Sequence, residues 1–570
     1  MEHVPAFCVE NFGCRATQAD GAALERQFEE RGLDRGSAAD ADVVILNTCT
    51  VTAAADQDAR AAIRRVQRQN PTAKIVVTGC YAQRAPEEIA ALPGVTCVIG
   101  NSHKHQLAEI ALPYIFSRWD QDKHFQEAHE REGHDFSRAV SAAPRPASAA
   151  EVSPPDRIRS FVPLASLAFG SREPETGTRI FVSDIFAHTE LLAAPVFDLL
   201  GDALDSQRTR PNLKVQDGCD NRCSFCVIPY VRGQSRSLPL PQILREVNAL
   251  VEAGYREVVV SGINLGRWGR DLAVSHQPSA VSGNHDFSRH TSGFSEALRA
   301  EVRGPRFDAV FEDLLRSILA ETSIEKLRIS SVEPMDWTDE LIVLVAESPR
   351  IAKHAHVPLQ SGSDAVLRRM HRKYRPWHYR EKIEKIRAAM PSAAIGADVM
   401  VGFPGETDAE FEATRRLIED LPFTYLHVFT YSARPGTPAA DMENQLPVHI
   451  ARERSRILRD LADEKKQAFM RSFIGRRVEA ITLRPCGAGT PFDKLRAGFA
   501  REGSSTNDCQ REIPVGVGAI TEALTDNYLK LHLKGHHEPN CWLRCRVERV
   551  EDGTLVASRE SDRELAAFAV

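Results

Sequence analysis

The chain has 570 residues, enough for about three or four domains, with 42% hydrophobic and 26% charged residues, the ordinary balance of a globular protein. A formal net charge of −6 excludes a global positive field, so any nucleic-acid contact must come from local basic patches. No apolar run approaches a membrane span and no basic or apolar leader opens the chain, so no membrane partner is expected; twelve cysteines in so long a chain suggest metal binding in a reducing cytoplasm rather than a disulfide scaffold.

The first domain, residues 4–112, alternates β and α patterns. Pro5 to Glu10 is a short apolar run, and Ala19 to Arg31 has helical spacing that stops at Gly32. Asp42 to Leu46 and Lys74 to Thr78 are β-branched runs of the kind found in buried parallel strands. Between them, Ala53 to Gln69 reads as a charged helix ending before Asn70-Pro71, and Pro86 to Leu92 as a short helix. Cys14, Cys49 and Cys80 each sit just past an apolar run. Ligands of open α/β sheets collect outside the carboxyl ends of the strands, so these three thiols are expected to converge. The plainer alternative is three buried cysteines with a packing role. Cys8 and Cys97 lie within or at the end of such runs and are assigned to packing.

Residues 113–178 lose this regularity, and 139–156 are a low-complexity stretch rich in Ala, Ser and Pro. The pentapeptide His134-Asp135-Phe136-Ser137-Arg138 recurs as His285-Asp286-Phe287-Ser288-Arg289, without a solenoid period. Three insertions are expected, at 113–178, 274–305 and 484–508. Exposed insertions cost little, which favours tolerated surface loops over a partner contact.

The central region, 205–450, opens on Cys219-x₃-Cys223-x₂-Cys226, preceded by Gly218 and enclosing Phe225. Three thiolates so close together suit iron or zinc. A structural zinc takes four protein ligands, and the next histidine is His276. Three cysteines on a [4Fe–4S] cube leave one iron open, and S-adenosylmethionine (SAM) can bind such an iron through its amino and carboxylate groups. Strands are expected at Glu257 to Ser261, Lys326 to Ser330, His354 to Leu359, Ile395 to Val401 and Tyr425 to Tyr431. Helices are expected at Leu240 to Ala253, Asp364 to Met370, His378 to Met390 and Asp408 to Leu421. The strand ends carry small or polar residues, among them Ser261, Gly262, Asn264, Ser330, Glu333 and Gln360, which are the candidate SAM contacts.

A tight basic cluster, Arg368, Arg369, Arg372, Lys373 and Arg375, is interleaved with Tyr374 and Trp377, a composition suited to phosphate contact and base stacking. Residues 451–474 read as a basic helix whose acidic residues could equally make it a solvated face. Residues 475–560 turn to β alternation, as in Leu543, Cys545 and Val547. Cys486, Cys509, Cys541 and Cys545 are too unevenly spaced for a zinc site.

The motif around Cys219 resembles the core motif of the radical-SAM superfamily. Asn11-Phe12-Gly13-Cys14-Arg15, Asn47-Thr48-Cys49-Thr50-Val51-Thr52 and Gly79-Cys80-Tyr81-Ala82-Gln83 resemble the three signatures of the methylthiotransferase N-terminal domain, and 475–560 resembles TRAM, a small RNA-binding β-barrel. The resemblance implies an α/β architecture: an N-terminal open sheet, a central partial (β/α) barrel and a small C-terminal β-barrel. It implies a second [4Fe–4S] cluster on Cys14, Cys49 and Cys80, beside the one on the catalytic triad Cys219, Cys223 and Cys226. One cluster would cleave SAM to a 5′-deoxyadenosyl radical, which can attack the unactivated adenine C2–H; the other would carry the sulfur that a second SAM methylates. Asn47-Thr48-Cys49-Thr50-Val51-Thr52 and Gln216-Asp217-Gly218-Cys219 look most like the branch acting on N6-threonylcarbamoyladenosine at tRNA position 37, in the anticodon loop. The alternatives are the isopentenyladenosine branch, the branch that modifies a ribosomal protein, and a catalytically silent Fe–S or zinc RNA-binding protein. The implied partners are tRNA and an electron donor such as a flavodoxin or ferredoxin.

Overall fold

The structure is a computed structural model that describes residues 4–116, 177–188, 191, 209–274, 310–483 and 520–560. The bulk of each expected insertion lies outside the described residues, as do Cys486 and Cys509. The chain divides into two units. The first comprises Met1–Leu192, Phe225–Gly233 and Ala433–Ala440; the second comprises Ala193–Ser224, Gln234–Ser432 and Asp441–Val570.

In the first unit the β-branched runs form a six-stranded, all-parallel sheet. Its strands are β1 (Ala6–Asn11), β2 (Asp34–Arg35), β3 (Val43–Thr48), β4 (Lys74–Gly79), β5 (Val95–Gly100) and β6 (Arg179–Phe181), in the order β2-β1-β3-β4-β5-β6. Every residue of β3 is buried, as a parallel strand covered on both faces requires. Phe7, Leu24, Phe28, Ile45, Ile99 and Leu112 belong to the core on one side. The helix Ala53–Gln69 has the expected bounds, and Thr52 caps it by accepting the Ala55 N–H at 3.2 Å. The first helix, Arg15–Glu29, starts four residues before the expected Ala19, with Cys14 at its N-cap. Elements beyond the expected set include β2, β5, β6 and the helices Cys80–Arg84 and Leu107–Ile115.

The second unit contains the central barrel strands: β7 (Asn212–Asp217), β8 (Arg236–Ser237), β9 (Glu257–Gly262), β10 (Lys326–Ile329), β11 (His354–His356), β12 (Ala394–Val401) and β13 (Tyr425–Thr430). They form two sheets, β8-β7-β9-β10 and β11-β12-β13, parallel except for β8. Bridges Leu327↔Ile351 and Ser331↔His356 join the two into one curved wall, an open partial barrel. The four expected helices are present as Leu240–Glu252, Asp364–Arg369, Pro376–Ala389 and Asp408–Asp420. Ile395, Ala397 and Val399 fill one face of β12 and are fully buried. Gly396, Asp398 and Met400 occupy the other.

The same unit ends in a closed antiparallel-rich barrel of β14 (Arg477–Thr482), β15 (Ile520–Thr525), β16 (Lys530–Lys534), β17 (Trp542–Glu551) and β18 (Thr554–Arg559), ordered β14-β15-β16-β18-β17. Ala480, Leu531, Leu533, Cys545 and Val547 fill it. β16 starts only at Lys530, because Thr525 to Leu529 is a turn closed by the Leu529 N–H on Thr525 Oγ1 at 2.8 Å. Arg328, fully buried on Glu257 at 2.6 Å, also donates to the Asp526 carbonyl at 3.0 Å and ties this barrel to the central one. The long helix Val448–Arg471 is anchored by Arg454, which pairs with Glu406 at 2.6 Å and Asp408 at 2.7 Å. Among the described residues no helix is long and apolar enough to cross a membrane.

Candidate active site

The strand order brings Cys14, Cys49 and Cys80 together. They follow β1, β3 and β4, which are neighbours in the sheet, at the carboxyl ends where the order reverses. Cys49 is buried beside its two companions: burial first, then the neighbouring Cys14 and Cys80, push its thiol up to about 12, while Arg232 pulls it down. Gly13 makes the approach possible. Its φ is +114°, and a Cβ there would stand 2.6 Å from Cys49 Cβ and 2.9 Å from Cys49 Sγ. Cys14 is exposed whereas Cys49 and Cys80 are buried, so the triad opens to one side.

Polar side chains that the sequence did not single out stand around this triad. Asp20, 1% exposed, accepts from Arg232 at 3.0 Å and from Lys104 at 3.1 Å, and Lys104 also reaches Asn47 Oδ1 at 3.1 Å. Asn101 donates to Cys80 Sγ at 3.5 Å and to the Val231 carbonyl at 2.8 Å, and Val227 and Val231 pack against Cys80. Asp56 accepts from Arg84 at 3.0 Å, Arg434 at 2.5 Å and Thr50 at 2.6 Å. The two arginines lie 28 and 378 residues from Asp56, so no local pattern marks them.

In the second unit β7 leads through the Gly218 turn, φ +70°, to Cys219. Cys219 Sγ receives the Asn221 N–H at 3.4 Å and Asn264 Nδ2 at 3.7 Å. Burial pushes this thiol up to about 11 against the pull of the Asn221 N–H, with Cys223 and Glu333 adding to the rise. Arg372 Nη1 donates to Cys223 Sγ at 3.1 Å and its other terminal nitrogen to Glu333. The loop is pinned by Ser224, whose N–H and Oγ donate to the Met370 and Arg369 carbonyls at 3.1 and 2.8 Å. A pocket beside Cys223 is lined by Asn221, Arg267, Glu333, His371, Arg372 and Tyr374. Cys226, three residues after Cys223, belongs to the first unit.

The candidate SAM contacts fall into two groups. Asn264 and Glu333 stand by the two thiols, and buried Asn264 Oδ1 and Ser330 Oγ make no hydrogen bond among the described residues, which suits a polar ligand. Gln360 has φ +62° and is bound through its backbone to Asp398 and Met400. Ser261 is 1% exposed and donates to the Leu213 carbonyl at 3.4 Å, inside the sheet. A Cβ on Gly262 would meet Gln216 Oε1 at 2.9 Å, so its role is the approach of Gln216, which in turn accepts the Asn264 N–H at 2.7 Å. Each triad offers three thiols, and three are the donor set of a [4Fe–4S] cluster that leaves an iron for an outside ligand.

The basic cluster divides differently from its expected RNA-facing role. Arg372 is 7% exposed and turned to Cys223 and Glu333; Tyr374 is 1% exposed and donates to the Leu359 carbonyl at 2.7 Å. Both side chains are buried and held by these partners, so neither faces solvent. Arg369 is held by Glu410 at 2.9 and 3.0 Å, and Arg375 by Asp364 at 3.1 Å. Arg368 and Lys373 remain exposed, with Trp377 56% exposed nearby in the chain.

Residues 6–100 match the family model described as "Uncharacterized protein family UPF0004", and residues 213–418 match that of the radical SAM superfamily. The chain is similar to the threonylcarbamoyladenosine tRNA methylthiotransferase MtaB of Bacillus subtilis (strain 168), at 33% identity over 82% of this chain and 83% of that protein. The protein of the same name from Aquifex aeolicus (strain VF5) is 32% identical over 83% of this chain and 92% of that one. A tRNA-2-methylthio-N(6)-dimethylallyladenosine synthase of Novosphingobium aromaticivorans is 30% identical over 84% and 86%.

Proposed function

The chain belongs to the MtaB-type radical-SAM methylthiotransferases, and on that footing we propose that it places a methylthio group on C2 of N6-threonylcarbamoyladenosine at position 37 of tRNA. Transfer of a methylthio group to tRNA by radical-SAM chemistry is its reaction, with SAM and two [4Fe–4S] clusters as cofactors. The observation that carries the residue assignment is the meeting of Cys14, Cys49 and Cys80 at the ends of three adjacent strands, apart in sequence from Cys219, Cys223 and Cys226. Support for the threonylcarbamoyl branch over the isopentenyl one is the higher identity to proteins of that name.

In this reading Cys219, Cys223 and Cys226 hold one cluster and Cys14, Cys49 and Cys80 the other. When bound, the first supplies the electron that splits SAM to a 5′-deoxyadenosyl radical, and the second supplies the site at which sulfur is held. The chain's own residues position these groups. Arg372 places a fixed positive charge against the Cys223 sulfur and holds Glu333 at the pocket. Asn264 Nδ2 supports Cys219 while Asn264 Oδ1 and Ser330 Oγ offer hydrogen bonds to SAM. Arg232, paired with Asp20, pulls the Cys49 thiol down against the larger rise that its burial causes. Arg368, Lys373 and Trp377, with the C-terminal barrel, would receive the anticodon loop, whose unstacked bases can be splayed into a site. A cytoplasmic flavodoxin or ferredoxin would supply electrons. Iron and sulfide analysis after anaerobic reconstitution tests the assignment. Wild type should hold about eight irons, two cubes. A variant with Cys219, Cys223 and Cys226 replaced by Ala should hold half; complete loss, or no loss, would refute independent sites.

A further inference from the structure

A second constellation lies on one face of β11, β12 and β13. His356, Asp398 and His427 each offer one ligand atom, and these atoms lie within 4.8 Å of one another. Strand register explains the meeting. Asp398 stands opposite His427, and His356 stands opposite Gly396, two residues before Asp398 on the same face. Gly396 is the hinge of the arrangement. The Tyr425 ring lies over it, where a Cβ would be 1.9 Å from Tyr425 Cζ, and the Tyr425 hydroxyl reaches His354 Nε2 at 2.6 Å. No larger residue fits there, and the next layer along the strands is left to the triad.

The triad is built to meet something. Ser331 Oγ holds His356 Nδ1 at 2.6 Å, which fixes the ring. His356 is 7% exposed, and its Nε2 faces Asp398 Oδ1 at 3.4 Å, a long contact that is its one polar partner among the described residues. A contact that long is weak, and a ligand that places a polar atom between the ring and the carboxylate would strengthen it. His427 is exposed on the same face, so the group is open on that side. Burial alone would raise the Asp398 carboxyl, but His356, His427 and Arg372 outweigh it and keep the group a carboxylate. Arg372, whose charge reaches Asp398, is also the donor to Cys223.

We propose that His356, Asp398 and His427 bind the polar, amino-acid-derived N6 substituent of the target adenosine, with the Asp398 carboxylate accepting from its N–H or O–H groups and the imidazoles donating to its carboxylate. This rests on the substrate proposed above. A substituent with donors and acceptors satisfies all three side chains at once. An isopentenyl substituent has neither, and would dehydrate them without replacement, which is the asymmetry by which polar sites reject apolar analogues. Two imidazoles and a carboxylate are also a ligand set for a divalent transition metal, and the test separates the two occupants.

The affinities of anticodon stem-loops carrying N6-threonylcarbamoyladenosine or N6-isopentenyladenosine are measured against the anaerobic, cluster-loaded protein, its His427→Phe variant and its His427→Gln variant, at equal iron and sulfide content. Wild type should prefer the threonylcarbamoyl loop. His427→Phe should lower that preference by about 10- to 100-fold, through the threonylcarbamoyl loop alone, and His427→Gln, which keeps a donor, should retain most of it. An unchanged ratio in His427→Phe, or equal weakening of both loops, would overturn the proposal. So would one equivalent of zinc or manganese in wild type that is missing from His427→Phe. Product analysis is separate: wild type that methylthiolates isopentenyl but not threonylcarbamoyl tRNA would overturn the substrate assignment itself.

Discussion

Arg372 Nη1 donates to Cys223 Sγ across 3.1 Å, from 149 residues further along the chain. The guanidinium is buried, forked between that sulfur and Glu333, and backed by the Tyr374 hydroxyl at 3.3 Å. A planar fork can satisfy thiolate and carboxylate together, whereas an ammonium can face only one of them well. Arg372→Lys should therefore keep its iron but form 5′-deoxyadenosine about 10- to 100-fold more slowly, read by chromatography of dithionite-reduced samples and normalised to cluster content. A rate within about twofold of wild type would show that the fork has no part in SAM cleavage.

Cys49→Ala should separate the two triads. Kept anaerobic and reduced, it should still cleave SAM, because all three thiols assigned to the SAM-cleaving cluster, Cys219, Cys223 and Cys226, are left intact. It should place no methylthio group on tRNA. Cys223→Ala should fail at both steps.

Glu257 and Arg328 are both fully buried and 2.6 Å apart. Burial alone would raise the Glu257 carboxyl, but Arg328 and Arg210 outweigh it and hold it below its ordinary value. A depressed folded-state value means the pair's stabilisation is present above the unfolded-state value and is lost as pH falls through the folded one. Glu257→Gln leaves Arg328 as an uncompensated buried charge and should destabilise the second unit by about 3–5 kcal/mol at neutral pH. Its deficit in urea unfolding should shrink as the pH is lowered below 4.5, the carboxyl's ordinary value. A deficit independent of pH would contradict the ionised pair.

Arg368 and Lys373 are the members of the basic cluster left facing solvent. Replacing both with Ala should weaken tRNA binding and lower the slope of log affinity against log salt by about one for each phosphate no longer neutralised. Replacing Arg369, which is committed to Glu410, should disturb packing without that change in slope.

Val43–Thr48 and Lys74–Gly79 are legible in the sequence because strands covered on both faces are continuous β-branched runs. Their order then predicts the convergence of Cys14, Cys49 and Cys80. By contrast, β6 has three residues and no period to detect. The first helix begins earlier than its spacing suggests because its N-cap, Cys14, makes no side-chain cap bond and resembles no cap signal. Arg372 reads as solvent-facing because it sits in a basic run, and its partners Glu333 and Cys223 are 39 and 149 residues away. Ser261 stands one residue before the end of β9, and its hydroxyl turns into the sheet, since alternation and not residue type decides direction.

Nucleoside analysis of tRNA from cells lacking the protein, complemented with wild type or with Cys49→Ala, addresses the substrate and the role of the N-terminal triad together. Wild type should restore 2-methylthio-N6-threonylcarbamoyladenosine, and Cys49→Ala should leave N6-threonylcarbamoyladenosine unmodified at C2. Restoration of the isopentenyl derivative alone, or full restoration by Cys49→Ala, would contradict it.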